Sequence, residues 1–586
     1  MATEARVDLN APFTSDRILE VRSGKLKKYK GLNIESGIDK SLLDGPVHVN
    51  RLGIEGDEHD LTFHGGPDKA IHGYCCSHYP TWQSEFSSAA SRFVPGGFGE
   101  NLVTRYMNER NVCIGDIMTV GRAGANGDGK AGEEGSGLLL QVSLPRQPCF
   151  KLNHRFELKG FAPNTWRLSR TGWYYRVLRE GTVAAGDEIR LVERPHPRWT
   201  IERIQEYLHR NTTDLAATEE LAAIPEFGKE CHDAFVARAA KLRAKARREQ
   251  GLEADEEEGD PAQWRDFRIA EKKPQTGRIT SFVLEAVNPS PKPEDVGYGA
   301  HAKVRIAVPG RAEPLVRAYS IVGGDRNRFE LGVALEPESR GASRHLHHTA
   351  AVGDAVQVGR ITGMKVVTSC SSHVFVAGGV GITAFLTLLE GLRRFNFDAQ
   401  LHYAVRSAAD DLPFAGRVRA LGDGVVTVYD ASAGQRLSIA GIIGAMPWNS
   451  RLYFCGPPRM MAEAAAEARA AGLPADEVHF EAFQAGSAGE DHDHPFEAVV
   501  ANRGGAVVPV GGGETLLEAL QRRFGVGAVP SSCEVGNCGT CVVRLCAGQV
   551  EHRGSASAVA LGEGEGEGEG MLSCVSRGVG RITIEI

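Results

Sequence analysis

Four cysteines towards the C-terminus constrain the fold of this chain more than any other feature. Cys533, Cys538 and Cys541 stand in a Cys-x4-Cys-x2-Cys run, and Cys574 follows them. This is the ligand spacing of a [2Fe–2S] cluster, in which four thiolates hold a one-electron centre. The loop that carries the first three cysteines is rich in small residues, so backbone N–H groups can turn inward and donate to the cluster sulfurs. The run therefore predicts a domain that moves electrons.

A structural zinc site is the alternative reading, because clustered cysteines also bind zinc. Zinc sites usually pair two Cys-x2-Cys knuckles, and the four-residue gap between Cys533 and Cys538 does not fit that pattern. The spacing favours iron–sulfur over zinc.

Length, charge and hydropathy narrow the class of protein. A chain of 586 residues predicts about three or four domains. The formal net charge of -7 supplies no basic field for nucleic acid, and no uninterrupted apolar run is long enough to span a membrane. The first 17 residues carry Glu4, Asp8 and Asp16 and lack an apolar signal core. Most other cysteines sit singly in apolar segments, so we expect a reducing, cytoplasmic location.

Three low-complexity stretches and the hydrophobic periodicity indicate how the chain is organised. Residues 121–137 are glycine-rich between two strand-like runs, 241–259 pass from a basic to an acidic run, and 562–570 alternate Gly and Glu. We interpret these as an expanded hairpin, an interdomain linker and a tolerated loop insertion. Alternation over 302–308 predicts a half-buried strand, whereas helical spacing over 201–208 begins a helical appendix.

Short motifs between residues 317 and 461 predict a module through which electrons enter. Arg317-Ala318-Tyr319-Ser320 ends a strand region, and 339–343 form a small-residue loop with one arginine, which suits a phosphate. An apolar strand then leads into the glycine turn 378–383 and a helix, which places free N–H groups at a diphosphate. A second strand ends in Cys455-Gly456. Each motif alone is also compatible with an ordinary turn. The order of the motifs along the chain is what favours a functional module.

Residues from about 266 to 586 resemble the phthalate dioxygenase reductase family, which joins a flavin barrel, a nicotinamide domain and a C-terminal ferredoxin in this order. The resemblance implies [2Fe–2S], FMN and NADH as cofactors, with NADPH left open because Arg406 could meet a 2′-phosphate. FMN is favoured over FAD because no added adenine-binding segment is visible. By resemblance, the flavin ring would contact Arg317, Tyr319 and Ser320, and the FMN phosphate would contact Arg340, Gly341 and Ser343. The nicotinamide nucleotide would contact Gly379, Gly381, Thr383, Cys455 and Gly456. The family's Gly-Gly-Ser loop appears here as Gly341-Ala342-Ser343.

The first 195 residues carry a different set of motifs. Residues 63–72 combine two histidines, a lysine and a glycine turn, and glycine-rich 95–102 follow. Residues 112–116, 144–152 and 169–176 complete the set, and 144–152 hold the run Pro145-Arg146-Gln147-Pro148-Cys149. These motifs resemble the MOSC family, named after the C-terminal domain of molybdenum cofactor sulfurase, especially the stand-alone bacterial type with a helical appendix.

The MOSC resemblance covers about residues 16 to 243 and implies a molybdenum cofactor (molybdopterin). In the family a single cysteine thiolate ligates molybdenum, and Cys149 is the matching position. Arg146 and Lys151 would favour its thiolate, which molybdenum needs as a soft ligand. A buried core cysteine is the alternative. By resemblance, Lys69, His72, Asn101, Arg146 and Arg170 would contact the pterin, although His64 and His72 are equally compatible with core histidines. Cys75, Cys76 and Cys113 are interpreted as structural.

Taken together, these observations predict a multidomain chain. The domains expected are a β-rich MOSC barrel over 16–195, a three-helix appendix over 196–243, a charged linker over 244–265, an FMN-binding β-barrel over 266–370, an α/β NAD-binding domain over 371–485 and an α+β plant-type ferredoxin of β-grasp fold over 494–586.

The expected function is a self-contained relay from NADH through FMN and [2Fe–2S] to molybdenum, which reduces small N-hydroxylated substrates such as amidoximes and hydroxylaminopurines. No separate reductase, nucleic acid, membrane or pyridoxal phosphate is expected to take part. Family members that suggest this substrate class include the mitochondrial amidoxime-reducing component. Two alternatives stay open. In one, the chain serves a separate oxygenase and the MOSC half is a docking module; in the other, Cys149 carries sulfur as a transferase.

Overall fold

The computed structural model describes most of the chain. The described residues are 10–61, 64–121, 137–249, 264–311, 314–335, 341–364, 368–483, 494–525, 527–531, 534, 536, 539–554 and 569–586. They divide into two compact units, an N-terminal unit of Met1–Glu256 with Thr368–Ser371 and a C-terminal unit of Glu257–Val367 with Ser372–Ile586. Within the described ranges, no helix has both the length and the apolar character needed to cross a membrane.

The N-terminal unit is rich in short strands. They are β1 (Ser15–Arg17), β2 (Glu20–Ser23), β3 (Lys27–Lys28), β4 (Glu35–Ser36), β5 (Ser41–Leu42), β6 (Val47–Asn50), β7 (Gly53–Ile54), β8 (Ile71–Cys75), β9 (Leu102–Thr104), β10 (Ile117–Gly121), β11 (Leu138–Pro145), β12 (Trp173–Arg179), β13 (Gly181–Val183) and β14 (Glu188–Glu193). Its helices are α1 (Tyr79–Glu85), α2 (Phe150–Phe156), α3 (Asn164–Arg167), α4 (Ile201–His209), α5 (Leu215–Ala222) and α6 (Lys229–Glu249).

Nine of these strands form one sheet in the order β1-β14-β10-β11-β12-β8-β9-β2-β5, and β13-β6-β7 form a second. Strands β3 and β4 pair in a third, two-stranded sheet. Among the described strands none of these sheets closes on itself, so the β-rich region expected as a barrel is seen as three open sheets. Strands β10 and β11 pair antiparallel on either side of the expected glycine-rich hairpin, of which 122–136 lie outside the described residues.

Local sequence explains why the helical appendix forms. The side chain of Thr200 accepts a hydrogen bond from Arg203 N at the start of α4, and Asp214 caps α5 in the same way. Such N-caps satisfy backbone donors that a helix cannot satisfy itself. One apolar face of these helices packs in a core with Ile114, Leu144 and Trp199 of the sheet region. The appendix is therefore built onto the sheet of the same unit.

The C-terminal unit contains three successive sheets. Its strands are β15 (Arg265–Pro274), β16 (Ile279–Ala286), β17 (His301–Ile306), β18 (Leu315–Gly324), β19 (Arg328–Ala334), β20 (Ala355–Thr362), β21 (Ser372–Gly378), β22 (Asp398–Val405), β23 (Val426–Asp430), β24 (Ser450–Cys455), β25 (Val478–Phe480), β26 (Phe496–Val500), β27 (Ala506–Val510), β28 (Val542–Glu551), β29 (Glu569–Leu572) and β30 (Arg577–Glu585). Its helices are α7 (Ala342–His348), α8 (Leu386–Arg394), α9 (Ala415–Ala420), α10 (Ile439–Ala445), α11 (Pro458–Ala470) and α12 (Leu516–Phe524).

Each sheet of this unit has a distinct architecture. Strands β15–β20 close into a six-stranded barrel in the order β15-β16-β19-β18-β17-β20. Strands β21–β25 form a parallel sheet in the order β23-β22-β21-β24-β25, with helices between successive strands. Strands β26–β30 form a mixed sheet in which β26 and β30 are parallel neighbours. The multidomain prediction is confirmed, and the closed barrel is present where a flavin barrel was expected.

Candidate functional site

A cavity in the N-terminal unit gathers residues from several of the predicted motifs. Strand β12 pairs with β11 at Pro145↔Trp173 and with β8 at Gly73↔Trp173, so the segments beside these pairs meet at one edge of the sheet. The cavity is lined by Ser36, Gly37, Ile38, Lys40, His59, Asp60, His64, His72, Phe98, Gly99, Asn101, Arg146, Cys149, Lys151 and Tyr174. Of the predicted molybdenum and pterin residues, it brings together Cys149, Arg146, His72 and Asn101.

Cys149 lies in the short connection between β11 and α2. Its backbone is extended, with φ -133° and ψ 139°, and α2 begins at the next residue. The residue is half-buried and has no disulfide partner. The thiol is therefore neither a core side chain nor a surface one, and it lies where a ligand in the cavity can reach it.

Arg146 supplies a buried positive charge to the cavity. Its backbone N–H donates to Gly172 O (3.1 Å), and its carbonyl accepts from the Thr171 hydroxyl and from Gln205 Nε2 (3.1 Å). The residue is 3% exposed, and among the described residues its Nη1 atom has no hydrogen-bond partner. A buried guanidinium N–H without an acceptor is costly. The site is thus suited to an anionic acceptor.

A second buried charge is fully paired. Lys40 Nζ donates to both carboxylate oxygens of Asp57, at 2.6 and 2.5 Å, and the two side chains are 3% and 0% exposed. Asp57 also accepts from Gly24 N (2.7 Å) and Asn101 Nδ2 (2.8 Å). Burial opposes ionisation of Asp57, but the His59 hydrogen bond and the Lys40 charge outweigh it and lower its pKa to about 2. Burial lowers the pKa of Lys40.

The side-chain amide of Asn101, one of the predicted pterin contacts, forms its hydrogen bonds within the protein. Its Oδ1 accepts from His72 N (3.0 Å), while its Nδ2 donates to Arg22 O and to Asp57. Both ends of the amide are therefore used to fix neighbouring segments. Asn101 lines the cavity and holds Asp57 in place.

Two neutral histidines face the cationic groups of the cavity. Burial and the nearby charges of Lys151 and Arg146 lower the pKa of His64 well below its usual value. Burial and Arg146 lower the pKa of His72 to about 3. His64 Nδ1 lies 3.4 Å from the Tyr174 hydroxyl, whose pKa burial raises. Both imidazoles are neutral at pH 7, so the positive charge of the site comes from Arg146 and the lysines.

Lys151 contributes charge from α2. Its Nζ lies 3.3 Å from Asp60 Oδ2, and its side chain is 5% exposed. The backbone carbonyl of Lys151 accepts from the hydroxyl of Tyr29 at 2.9 Å. Among the lysine and arginine residues that line the cavity, Arg146 alone forms no ion pair within the described residues. The cavity therefore carries an excess of positive charge.

Lys69 and Arg170 are engaged elsewhere. Lys69 forms an ion pair with Glu230 of α6. Arg170 pairs with Glu85 at 2.7 and 2.9 Å, and its guanidinium lies 4.5 Å from the centre of the Trp82 ring. Neither residue is part of the cavity lining around Cys149. The carboxylate partners that hold these side chains are far away in the sequence.

The predicted flavin motif lies on one strand of the barrel. Arg317, Tyr319 and Ser320 stand on β18, with Ser320 buried and the other two half-buried. Burial raises the pKa of Tyr319. Gly341 precedes α7 with a φ of 114°, a conformation that favours glycine, and Ser343 lies on that helix. Arg340 lies outside the described residues.

The predicted nucleotide motifs come together at the carboxyl ends of two neighbouring parallel strands. Gly379 and Gly381 follow β21, and β21 pairs with β24 at Ala377↔Cys455. A side chain on Gly381 would lie 2.2 Å from Cys455 O, so this close approach requires glycine. The Tyr403 hydroxyl donates to Gly379 O at 2.8 Å. Dinucleotides bind at this place in open α/β sheets.

Two of the remaining residues of this site, Thr383 and Cys455, are buried. The Thr383 hydroxyl donates to Val380 O at 2.8 Å, inside the turn. Burial raises the pKa of the Cys455 thiol, and Glu481 raises it further. Gly456 follows β24, and a side chain there would require the end of the Met460 side chain to move. The turn and the strand end therefore form one interlocked surface.

Two of the four predicted cluster ligands are described, and they converge. Cys541 Sγ and Cys574 Sγ lie 3.1 Å apart and both residues are buried. The Ser573 hydroxyl donates to Cys541 O at 2.8 Å, which ties the two segments together. Cys533 and Cys538 lie outside the described residues. Two thiols at this separation fit ligands of one metal centre.

Comparison with known proteins identifies both halves. The MOSC domain family matches residues 60–190, and the 2Fe-2S iron-sulfur cluster binding domain matches residues 499–578. A reductase from Gibberella moniliformis (strain M3125 / FGSC 7600) is 36% identical over 588 residues, which cover 97% of this chain and 95% of that protein. The chain belongs to the family of this reductase.

Two further relatives each match one half. Protein YiiM of Escherichia coli (strain K12) is 38% identical over 177 residues, 30% of this chain and 72% of YiiM. The carnitine monooxygenase reductase subunit of the same organism is 29% identical over 327 residues, 54% of this chain and 96% of that subunit. The predicted fusion of a MOSC domain to a phthalate dioxygenase reductase-like module is confirmed. The chain is an oxidoreductase in which electrons pass from NAD(P)H through a flavin to a [2Fe–2S] cluster.

Proposed function

We propose that this chain is a self-contained reductase of N-hydroxylated compounds, in which electrons from NADH pass through FMN and [2Fe–2S] to a molybdenum cofactor bound at Cys149. The observation that carries the proposal is the cavity in which a half-buried thiol lies with the buried, unpaired guanidinium N–H of Arg146. No separate reductase partner is required, because donor and acceptor domains share one chain.

The residues present fit such a cofactor. Molybdenum takes a soft thiolate ligand, and Cys149 offers one from a fixed loop. The pterin carries an anionic phosphate, which suits the excess positive charge of the cavity and the free Nη1 of Arg146. Cys149 would hold the metal, and Arg146, with Lys40 and Lys151 as nearby charges, would hold the anionic part.

Cleavage of an N–OH bond needs two electrons and two protons and yields N–H plus water. When bound, the molybdenum cofactor supplies a centre that collects single electrons and returns them as a pair. The protein residues supply the surroundings. His64 and His72 are neutral at pH 7 and add no charge, while the protonated Tyr174 hydroxyl, 3.4 Å from His64 Nδ1, can donate a hydrogen bond to a substrate oxygen.

On the donor side, FMN and NADH remain our proposals within the flavin and NAD(P)H classes. Support for FMN is the glycine conformation of Gly341 at the start of α7, beside Ser343, where a phosphate was expected. A flavin is needed because hydride delivers two electrons whereas the cluster accepts one.

The test is an assay of holoprotein from a host that makes the pterin, with NADH and benzamidoxime or an N-hydroxylated base, alongside molybdenum and iron analysis. Cys149→Ala should abolish substrate reduction and molybdenum binding, yet leave NADH-driven reduction of an artificial dye intact. Cys76→Ala, a half-buried thiol outside the cavity, is the matched control.

The alternatives give different results. A docking module for an oxygenase predicts iron without molybdenum, and a sulfur transferase predicts a persulfide on Cys149 that mass spectrometry detects. Holoprotein that contained iron and flavin but no molybdenum would refute the proposed relay.

A further inference from the structure

An ion pair links the barrel to the loop that carries the cluster cysteines. Lys303 Nζ lies 2.5 Å from Glu534 Oε1 and 3.4 Å from Ser531 Oγ. Ser531 Oγ in turn donates to Glu534 Oε1 at 2.9 Å, and Gln521 Nε2 of α12 donates to Ser531 Oγ at 3.5 Å. All of these residues belong to the C-terminal unit. The contact therefore reaches from a barrel strand to the body of the ferredoxin domain.

Both ends of this pair lie beside the redox motifs. On β17, Lys303 is the cross-strand partner of Ala318, which stands between Arg317 and Tyr319 of the flavin motif on β18. Directly paired residues lie about 5 Å apart. Glu534 directly follows Cys533, the first cysteine of the cluster run. The pair thus joins the strand that carries the flavin motif to the loop that carries a cluster ligand.

Lys303 differs in its contacts from the other basic residue on the same face of its strand. Its side chain is only 17% exposed, although it lies on the outer face of a barrel strand. The next basic residue on the same face, Arg305, is held by the Trp264 ring at 3.9 Å and by Gln357 at 3.1 Å. Glu534 has a φ of 56°, which is uncommon for a residue with a side chain. The loop therefore adopts a special conformation at the residue that meets Lys303.

We propose that Lys303 and Glu534 are positioning residues that hold the cluster loop against the flavin strand and thereby set the rate at which single electrons pass from flavin to [2Fe–2S]. No bond forms or breaks in this step: the flavin is oxidised by one electron, and the cluster is reduced by one. The inference rests on the flavin lying at the β18 motif and is independent of molybdenum.

The test uses the full-length holoprotein in rapid-mixing experiments with NADH. Lys303→Met removes the charge but keeps an apolar stem, and it lies on the barrel, away from the cluster ligands. Flavin reduction should proceed at the wild-type rate, whereas cluster reduction should slow by roughly two- to fivefold at low salt, the range expected for a partly exposed ion pair. Raising the ionic strength should slow the wild type towards the variant. Lys292→Met, an exposed lysine of the same domain, is the control.

A second measurement distinguishes a positioning role of Lys303 from an effect on the reduction potential of the cluster. The reduction potential of the cluster, followed by spectroelectrochemistry, should be unchanged within error in Lys303→Met. The charge-reversed double variant Lys303→Glu with Glu534→Lys should recover most of the transfer rate that either single change loses. The proposal is overturned if Lys303→Met transfers electrons at the wild-type rate at low salt. It is equally overturned if a shifted potential accounts for the slower rate, or if the double variant is no faster than the single ones.

Discussion

The buried pair of Lys40 and Asp57 allows a quantitative test of how the cavity is held together. Asp57→Asn keeps the size of the side chain but removes the charge that faces Lys40, whose ammonium group is 3% exposed. The pKa of Asp57 falls from 3.8 to about 2, a difference equivalent to about 2 kcal/mol between its two protonation states. Removing one partner of a buried pair typically costs about 3–5 kcal/mol. We expect a loss near 3 kcal/mol, because Asn can still accept one hydrogen bond.

The pH dependence has a definite direction. Because the pKa of Asp57 is lower in the folded protein than in the unfolded chain, its contribution is complete above about pH 4 and is lost as the pH falls towards 2. Burial lowers the pKa of Lys40, so this ammonium group is costly to bury even when paired. The difference in stability between Asp57→Asn and the wild type should therefore shrink below about pH 4.

Urea unfolding at pH 7, followed by tryptophan fluorescence, measures the effect. The signal reports mainly on the N-terminal unit, since Trp82, Trp166, Trp173 and Trp199 lie there, whereas flavin absorbance reports on the other unit. Asp44→Asn, an exposed carboxylate, should leave the transition unchanged.

A double variant tests the cause. Adding Lys40→Met to Asp57→Asn should recover part of the lost stability, because no unpaired charge then stays buried. An Asp57→Asn protein within 0.5 kcal/mol of the wild type, a threshold taken from typical surface substitutions, would refute the reasoning. So would a double variant less stable than the single one.

Three further changes probe other parts of the chain. Thr515→Ala removes the capping box that Thr515 forms with Glu518 at α12, and it should cost the ferredoxin domain about 1 kcal/mol, seen as earlier loss of cluster absorbance on heating. Tyr403→Phe removes the hydrogen bond to Gly379 O, so the KM for NADH should rise roughly two- to tenfold in dye reduction while kcat changes little. Phe156→Ala opens a cavity where this fully buried ring stacks on a neighbour, and urea unfolding should show a loss of about 3–5 kcal/mol for the N-terminal unit, with dye reduction unaffected.

Sites built from local segments could be predicted from the sequence. A strand, a glycine turn and a helix start at 374–384 already place N–H groups near a phosphate. The pairing of β21 with β24 then brings Cys455 and Gly456 beside them. The same holds for Cys541, whose spacing from the other cysteines predicts ligands of one centre. Motifs whose own sequence determines their backbone conformation can be recognised before the fold is known.

Contacts between distant segments could not be predicted in this way. Asp57, His59 and Asp60 could not be predicted as site residues, because an isolated polar residue in a loop carries no periodic signal. The burial of Lys40 could not be predicted either, since a lysine is usually exposed. Arg170 looks like an anion-binding residue by its type, yet its charge is taken up by a carboxylate 85 residues earlier in the chain. Which cation keeps a free N–H is decided by tertiary packing.

The interlocked glycine turn has a consequence for how this enzyme can change. A side chain at Gly381 would collide with the backbone at the end of β24, so the packing of the protein itself prevents substitution of this glycine. Strand β22 lies on the other side of β21 and ends at Val405, and the exposed Arg406 follows it. We therefore expect the preference between NADH and NADPH to change by substitution of the exposed Arg406, while Gly381 stays fixed.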